Sequence, residues 1–127
     1  MKAVATDMSD KFGIAEAAKR GIKLGQVGQR IVLENEQVRI WEINLDPGET
    51  IEFHIHHHPY VVISLGGGEN EIETIFGDRI KTVEELGSTV FINEMRAVHR
   101  LTNRAKIRYL SRLIELKNVQ WTTEAES

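Results

Sequence analysis

Four of the five histidines of the chain lie in one stretch, residues 48–67, which reads GETIEFHIHHHPYVVISLGG. The half before the proline alternates polar and apolar residues, which indicates a half-buried strand. Because successive side chains of a strand point to opposite faces, His54, His56 and His58 would share one face. Two imidazoles two residues apart, those of His54 and His56, would then reach one ion, unless the strand simply carries them at its surface. His57 would point away.

The fifth histidine, His99, stands alone in a later β-like segment. Neutral imidazole nitrogen binds several first-row metals, and a chain without cysteine must hold its metal on nitrogen or oxygen. We therefore predict one divalent transition metal, Fe, Mn, Zn, Ni or Co, on His54, His56 and His99. Imidazole does not select among these metals.

The rest of the sequence continues the β pattern on both sides of this stretch. Segments rich in Val, Ile and aromatic residues, each bounded by turn residues, predict nine strands. These cover residues 29–35, 37–45, 51–58, 60–65, 71–76, 79–83, 89–93, 99–103 and 107–117. Good helix formers over Ala15–Arg20, followed by Gly21, predict one short N-terminal helix. The expected fold class is all-β, with antiparallel sheets closed as a barrel or jelly roll.

A chain of 127 residues is the size of one domain. We expect a helical or loop arm over residues 1–28, a barrel over residues 29–121 and a frayed tail over residues 122–127. The expected core is β-branched and aromatic, and comprises Val38, Ile40, Ile43, Leu45, Val62, Ile63, Leu65, Phe91, Ile92, Leu113 and Ile114.

Composition excludes several classes of partner. The net charge of −3 and the absence of any run of Lys or Arg argue against nucleic acid. No apolar stretch approaches the roughly 18 to 20 residues that cross a bilayer, so no membrane partner is expected. The polar N-terminus lacks the apolar core of a signal peptide, and we expect a cytoplasmic protein.

Two sets of residues resemble the motifs of the cupin superfamily. The first is Gly48 with His54-x-His56 and then Gly67, and the second is Gly87 with His99-x₃-Asn103. The resemblance, which covers roughly residues 40–116, implies a double-stranded β-helix barrel. It also implies metal ligation by the histidines of both motifs.

The resemblance implies a fourth metal ligand, a glutamate, at the position that Tyr60 occupies here. Tyr60 is then either a catalytic phenol that orients or protonates a ligand, or an inward residue that fills the barrel. His58 is expected at the rim of the site. Arg39 and Arg108 would bind an anionic substrate if they face the pocket, and would solvate the sheet if they face outward.

These observations favour a metal-dependent enzyme that acts on a small, carboxylate-bearing metabolite, because three neutral ligands leave the charge of the ion uncompensated. Dioxygenase, isomerase and lyase activities all occur in the superfamily, and short single-domain members include ones linked to amino-acid degradation. The alternatives are a non-catalytic module that binds a small molecule or a metal, and a barrel that has lost its metal. Cupins commonly pair through edge strands, which implies a homodimer.

Overall fold

The computed structural model describes residues 10–122 and contains one helix and nine strands in that range. The helix α1 spans Ile14–Lys19. The strands are β1 Arg30–Glu34, β2 Val38–Leu45, β3 Thr50–His54, β4 Tyr60–Ser64, β5 Gly68–Thr74, β6 Arg79–Glu84, β7 Thr89–Ile92, β8 His99–Asn103 and β9 Tyr109–Leu116. The predicted tail falls on residue 122 and residues 123–127, and the latter lie outside the described residues.

Two antiparallel sheets face each other, as the sequence predicts. The five-stranded sheet has the order β1-β2-β9-β4-β7, and the four-stranded sheet has the order β3-β8-β5-β6. Consecutive strands often lie in different sheets, so the chain crosses repeatedly between them. Strands β6 and β7 are the edges of their sheets and are not hydrogen-bonded to each other.

The predicted strand over residues 51–58 is wrong in its second half. Strand β3 ends at His54, and residues 57 and 58 lie in a bend before Pro59. Proline has no amide hydrogen to donate to a neighbouring strand, and it restricts the backbone of the residue before it. The regular strand therefore does not continue here, and the chain turns toward β4. The regular alternation that placed His58 on the face of His54 therefore does not apply beyond the strand end.

The main core lies between the sheets. Trp41, Ile43 and Leu45 of β2 pack against Tyr109 and Leu113 of β9 in this cluster. Of the predicted core, Ile43, Leu45 and Leu113 are buried, and Val62 and Ile92 are partly buried against them.

Two predicted core residues, Leu65 and Phe91, are exposed at 42% and 51% of their surface. Phe91 alternates with Val90 and Ile92, which face the space between the sheets, so its side chain points outward. Leu65 lies just beyond the end of β4. The prediction failed because one sequence shows that a strand is apolar without showing which of its faces is covered.

A second apolar cluster lies under helix α1. Ala17 of the helix packs with Phe53, Ile55, Ile75 and Val98 at one end of the four-stranded sheet. The carboxylate of Asp10 accepts hydrogen bonds from the first amides of the helix. Gly21, with φ of +71°, follows its last turn in the left-handed region that glycine favours. The predicted helix is confirmed, with bounds shifted by one residue.

The one helix of residues 10–122 is too short to cross a membrane.

Candidate metal centre

Three histidines meet at one end of the space between the sheets. His54 is the last residue of β3 and His99 the first of β8, and the two are register partners in the four-stranded sheet. His56 follows two residues after the strand end. One ring nitrogen from each histidine lies within 4.8 Å of the others, and all three residues are buried. This cluster could hold one metal ion.

Backbone carbonyls fix the protonation of two of these rings. His54 Nδ1 lies 2.7 Å from the carbonyl oxygen of Glu52, and His99 Nδ1 lies 2.8 Å from that of Ala97. A carbonyl oxygen can only accept, so each Nδ1 carries the proton and each Nε2 keeps a lone pair. Metal-binding histidines are commonly oriented in this way.

His56 differs from the other two because its Nδ1 is buried and has no hydrogen-bond partner among the described residues. Buried polar atoms in proteins are rarely left without a partner. The nitrogen is thus suited to a partner other than an amino acid. The donor set therefore fits a transition metal: three imidazoles, two of them oriented by the backbone.

Burial keeps the rings neutral. It lowers the pKa of His54 to about 4, with a smaller contribution from His99. Burial also lowers the pKa of His56 well below its ordinary value, and that of His99 below its ordinary value. At neutral pH the imidazoles therefore present lone pairs, which a cation requires.

Tyr60 stands beside the cluster, where the resemblance would place a glutamate. Its ring stacks on that of His56, with centroids 3.9 Å apart and planes 17° from parallel. Burial raises the pKa of Tyr60 to about 12, so the phenol stays protonated at neutral pH. Among the described residues the cluster contains no carboxylate. Tyr60 therefore offers a neutral hydroxyl where a negative ligand would stand.

A cavity of about 380 Å³ leads from the histidines into the barrel. Its wall is largely aliphatic, formed by Ile43, Ile51, Val62, Ile72, Leu101 and Leu113 among others. At the far end Tyr109 donates a hydrogen bond of 2.8 Å to Oε1 of Glu84. Exposed residues of the edge strands β6 and β7, such as Val83 and Val90, also line the cavity and mark its mouth.

Arg96 is the one cationic side chain of the cavity wall. It is exposed, and it has no ion pair or hydrogen bond to another described residue. Its charge reaches the cluster, because it contributes, after burial, to the lowered pKa of His99 and of His56. Arg96 was not among the predicted site residues, because it lies in the β7–β8 connection and so belongs to no strand pattern.

The three residues expected to bind substrate lie elsewhere. Arg39 pairs with Glu34 and with Glu115, which also accepts a hydrogen bond from Trp41. Arg108 is bound to the side chains of Asn44 and Asp46 at the surface.

His58 is half-buried in the bend after β3, and neither it, Arg39 nor Arg108 lines the cavity. Both arginines are committed to acidic or amide partners within the chain. The cavity itself therefore gives no support to a substrate-binding role for these three residues.

Comparison with known proteins finds likeness in structure only. No protein-family profile matches the sequence, and no curated protein matches it. A cupin domain from Bordetella pertussis superposes with a TM-score of 0.64 at 24% identity, over 76% of this chain and 99% of that one.

Two further solved structures match less closely. A cupin superfamily protein from Desulfitobacterium hafniense gives a TM-score of 0.52 at 18% identity, over 74% of this chain and 80% of that one. A protein with a double-stranded β-helix domain from Klebsiella pneumoniae gives 0.53 at 19% identity, over 79% of this chain and 87% of that one. At these identities the matches establish the fold.

Proposed function

We propose that this chain, which has the fold of a small single-domain cupin, binds one divalent transition metal on His54, His56 and His99 and acts on a small organic anion. The observation that carries the proposal is the arrangement of the three buried rings, two of them oriented by backbone carbonyls. Orienting contacts of this kind raise the basicity of a ligand and fix its lone pair toward the ion.

The proposed substrate class follows from charge. Three neutral ligands leave both positive charges of a divalent ion uncompensated, and Arg96 adds a third positive charge at the cavity wall. A carboxylate is the small organic group that matches such a site, and Arg96 would hold it in two hydrogen bonds. The aliphatic wall would enclose the remainder of the molecule.

Each residue of the site has a defined part in this proposal. A bound metal would supply Lewis-acid or oxygen-activating chemistry. The Tyr60 hydroxyl, protonated at neutral pH, would donate a hydrogen bond to the substrate and orient it. The aliphatic wall would exclude water from the reacting group. Dioxygenase, isomerase and lyase reactions are all compatible with this arrangement. We expect the protein in the cytoplasm.

A non-catalytic role as a binding module is the second candidate. The observation that favours it is the shortage of proton-transfer groups, because Glu84 is the one carboxylate of the cavity wall and is already bound by Tyr109. Near the histidines, the weakly acidic Tyr60 is the one other described residue of the cavity wall that could move a proton. A module of this kind would bind the same anions without turning them over.

Metal content tests the first part of the proposal. The purified chain should contain or take up one equivalent of Fe, Mn, Co, Ni or Zn, measured by mass spectrometry of the metal and by titration. The variants His54→Ala and His99→Ala should bind at least tenfold more weakly. His57→Ala is the matched control, because His57 is exposed and one residue away, and its affinity should not change. Equal affinity in all the variants would contradict the site.

Turnover separates the two candidate functions. The metal-loaded chain is incubated with a panel of small carboxylic acids, and oxygen consumption and product formation are followed by electrode and mass spectrometry. An enzyme should turn over at least one acid and lose that activity in Tyr60→Phe. Binding of the acids, weakened at least tenfold in Arg96→Met, without any turnover would favour the binding module.

A further inference from the structure

The outer face of the five-stranded sheet has an unexpected composition. Strand register aligns one large apolar residue from each strand in a single row across the sheet. We call this the outer row, and it comprises Leu33, Ile40, Ile114, Val61 and Phe91. Solvated faces of antiparallel sheets normally carry polar residues.

The two ends of the outer row are exposed, and its three central residues are half-buried. Its residues alternate with Trp41, Leu113 and Val62, which face the core, so their own side chains point away from it. Leu33 and Phe91, at the two ends of the row, are 47% and 51% exposed. Helix α1, the one helix of residues 10–122, packs on the other sheet and does not cover this face.

We propose that the outer row is the interface at which two copies of this chain form a dimer. The outer row is self-complementary under a two-fold rotation. Strand β9 is the middle strand, so a two-fold axis through Ile114 would place Leu33 over Phe91 of the partner subunit and Ile40 over Val61 of the partner subunit. Two-fold interfaces are built from one self-complementary patch in this way.

The size of the face supports a second copy. Five strands spaced about 4.8 Å apart, with four to eight residues at about 3.3 Å each, give a flat area of about 500 Å². Corrugated side chains expose more than this flat projection. Stable interfaces bury roughly 600 to 1,000 Å² per partner, so the face is large enough for one chain of this size to hold another.

Charges beside the row do not oppose such pairing. The next outward row along the strands contains Arg30, Glu42 and Arg112, which are register neighbours and pair with one another. Their charges are largely satisfied within one chain. Aligned sheets pack about 10 Å apart, so two copies can bring the apolar rows into contact while these pairs remain at the rim.

The test is the mass of the full chain in solution, measured by sedimentation velocity and light scattering. We expect a dimer of about twice the 14.5 kDa chain at micromolar concentration. The double variant Leu33→Lys/Phe91→Lys, which changes only the exposed ends of the row, should weaken the dimer at least tenfold. Ile107→Lys is the matched control, because Ile107 is an exposed isoleucine outside the row, and it should leave the dimer unchanged.

Circular dichroism and metal uptake show whether each variant is folded. A wild-type chain that is monomeric at micromolar concentration would overturn the proposal. A monomer is the result expected if another segment of the same chain covers the row. A dimer that survives Leu33→Lys/Phe91→Lys in a folded protein would also overturn it. Loss of the dimer in Val83→Lys instead would place the interface at the cavity mouth and reject the outer row.

Discussion

The two sheets are alike on their inner faces and different on their outer faces. Both line the same core and cavity. The outer side of the four-stranded sheet carries a ladder of ion pairs, with Arg100 between Glu52 and Glu73, and with Arg79 and Arg104 pairing along Glu73 and Glu71. The outer side of the five-stranded sheet carries the outer row.

The difference indicates how each sheet meets water. On the four-stranded sheet, helix α1 covers the apolar end and ion pairs cover much of the remainder, while Val83 at the edge is exposed. Within residues 10–122, neither a helix nor an ion pair covers the outer row of the five-stranded sheet. An exposed apolar patch of that kind is typical of a surface that binds a partner. The number and order of the strands would not distinguish the two outer faces. The strand register does, because it decides which side chains lie next to each other on each face.

The largest expected effect breaks the cover of the four-stranded sheet. Phe53→Ala should lower the free energy of unfolding by about 3 to 5 kcal/mol, because it leaves a cavity beneath α1. Phe91→Ala is the matched control on the other sheet, and should cost less than about 1 kcal/mol because its ring is half exposed. Both are measured by urea unfolding at a protein concentration where the chain sediments as a monomer. Equal costs would show that the two outer faces do not differ.

A smaller effect tests the ion-pair ladder. A hydrogen bond from Arg100 lowers the pKa of Glu73, against the opposing effect of burial. The folded pKa lies below the unfolded one, so this pair stabilises the fold above the unfolded value of about 4.5 and loses its effect as the pH falls through the folded pKa. Glu73→Gln should therefore cost up to about 1 kcal/mol at pH 7, and this cost should decrease as the pH falls through the folded pKa.

Urea unfolding across this pH range measures the effect. Glu69→Gln is the control, since Glu69 is exposed and has no ion pair among the described residues, and it should show no such pH dependence. A cost for Glu73→Gln that stays constant from pH 7 to pH 3 would show that the ladder does not act through this charge.

The smallest expected effect concerns salt. Raising NaCl from 0.1 to 1 M screens exposed charges and should reduce the cost of Glu73→Gln. It should change the dissociation constant of a dimer formed on the outer row by less than about twofold, because apolar contact is not screened. Sedimentation equilibrium at the two salt concentrations measures the constant. A dimer that dissociates in high salt would be held by charge instead of the outer row.

The sequence predicted the barrel and the shared face of His54 and His56 because both depend on local patterns. Short apolar segments bounded by turns define the strands, and the spacing of His54 and His56 needs only the direction of successive side chains. His99 was predicted as the one histidine outside that stretch, and the resemblance to cupins supported it, since nothing local connects it to residue 54. In the structure, the pairing of β3 with β8 brings the two residues together, because His54 and His99 are register partners.

Other features depend on pairing between distant segments and could not be predicted. The outer row exists only because Leu33 aligns with Ile40, across a shift of register in β1, and Val61 with Phe91. Arg96 reaches the cavity through the path of a connection between sheets. Arg39 and Arg108 were predicted to bind an anion if they face the pocket. Both form ion pairs with acidic residues that lie on other strands or in turns.

The unpaired edges of β6 and β7 bear on how the protein could change its ligand. The cavity opens between them, so a molecule can enter without breaking any backbone ladder. Ile80, Val83 and Val90 at this opening are exposed and contribute little to the core. None of the three belongs to the histidine cluster, so substitution there can narrow or recharge the passage while the cluster keeps its residues. In the proposed site, ligand choice and metal binding would therefore be separable traits, open to independent selection in one small barrel.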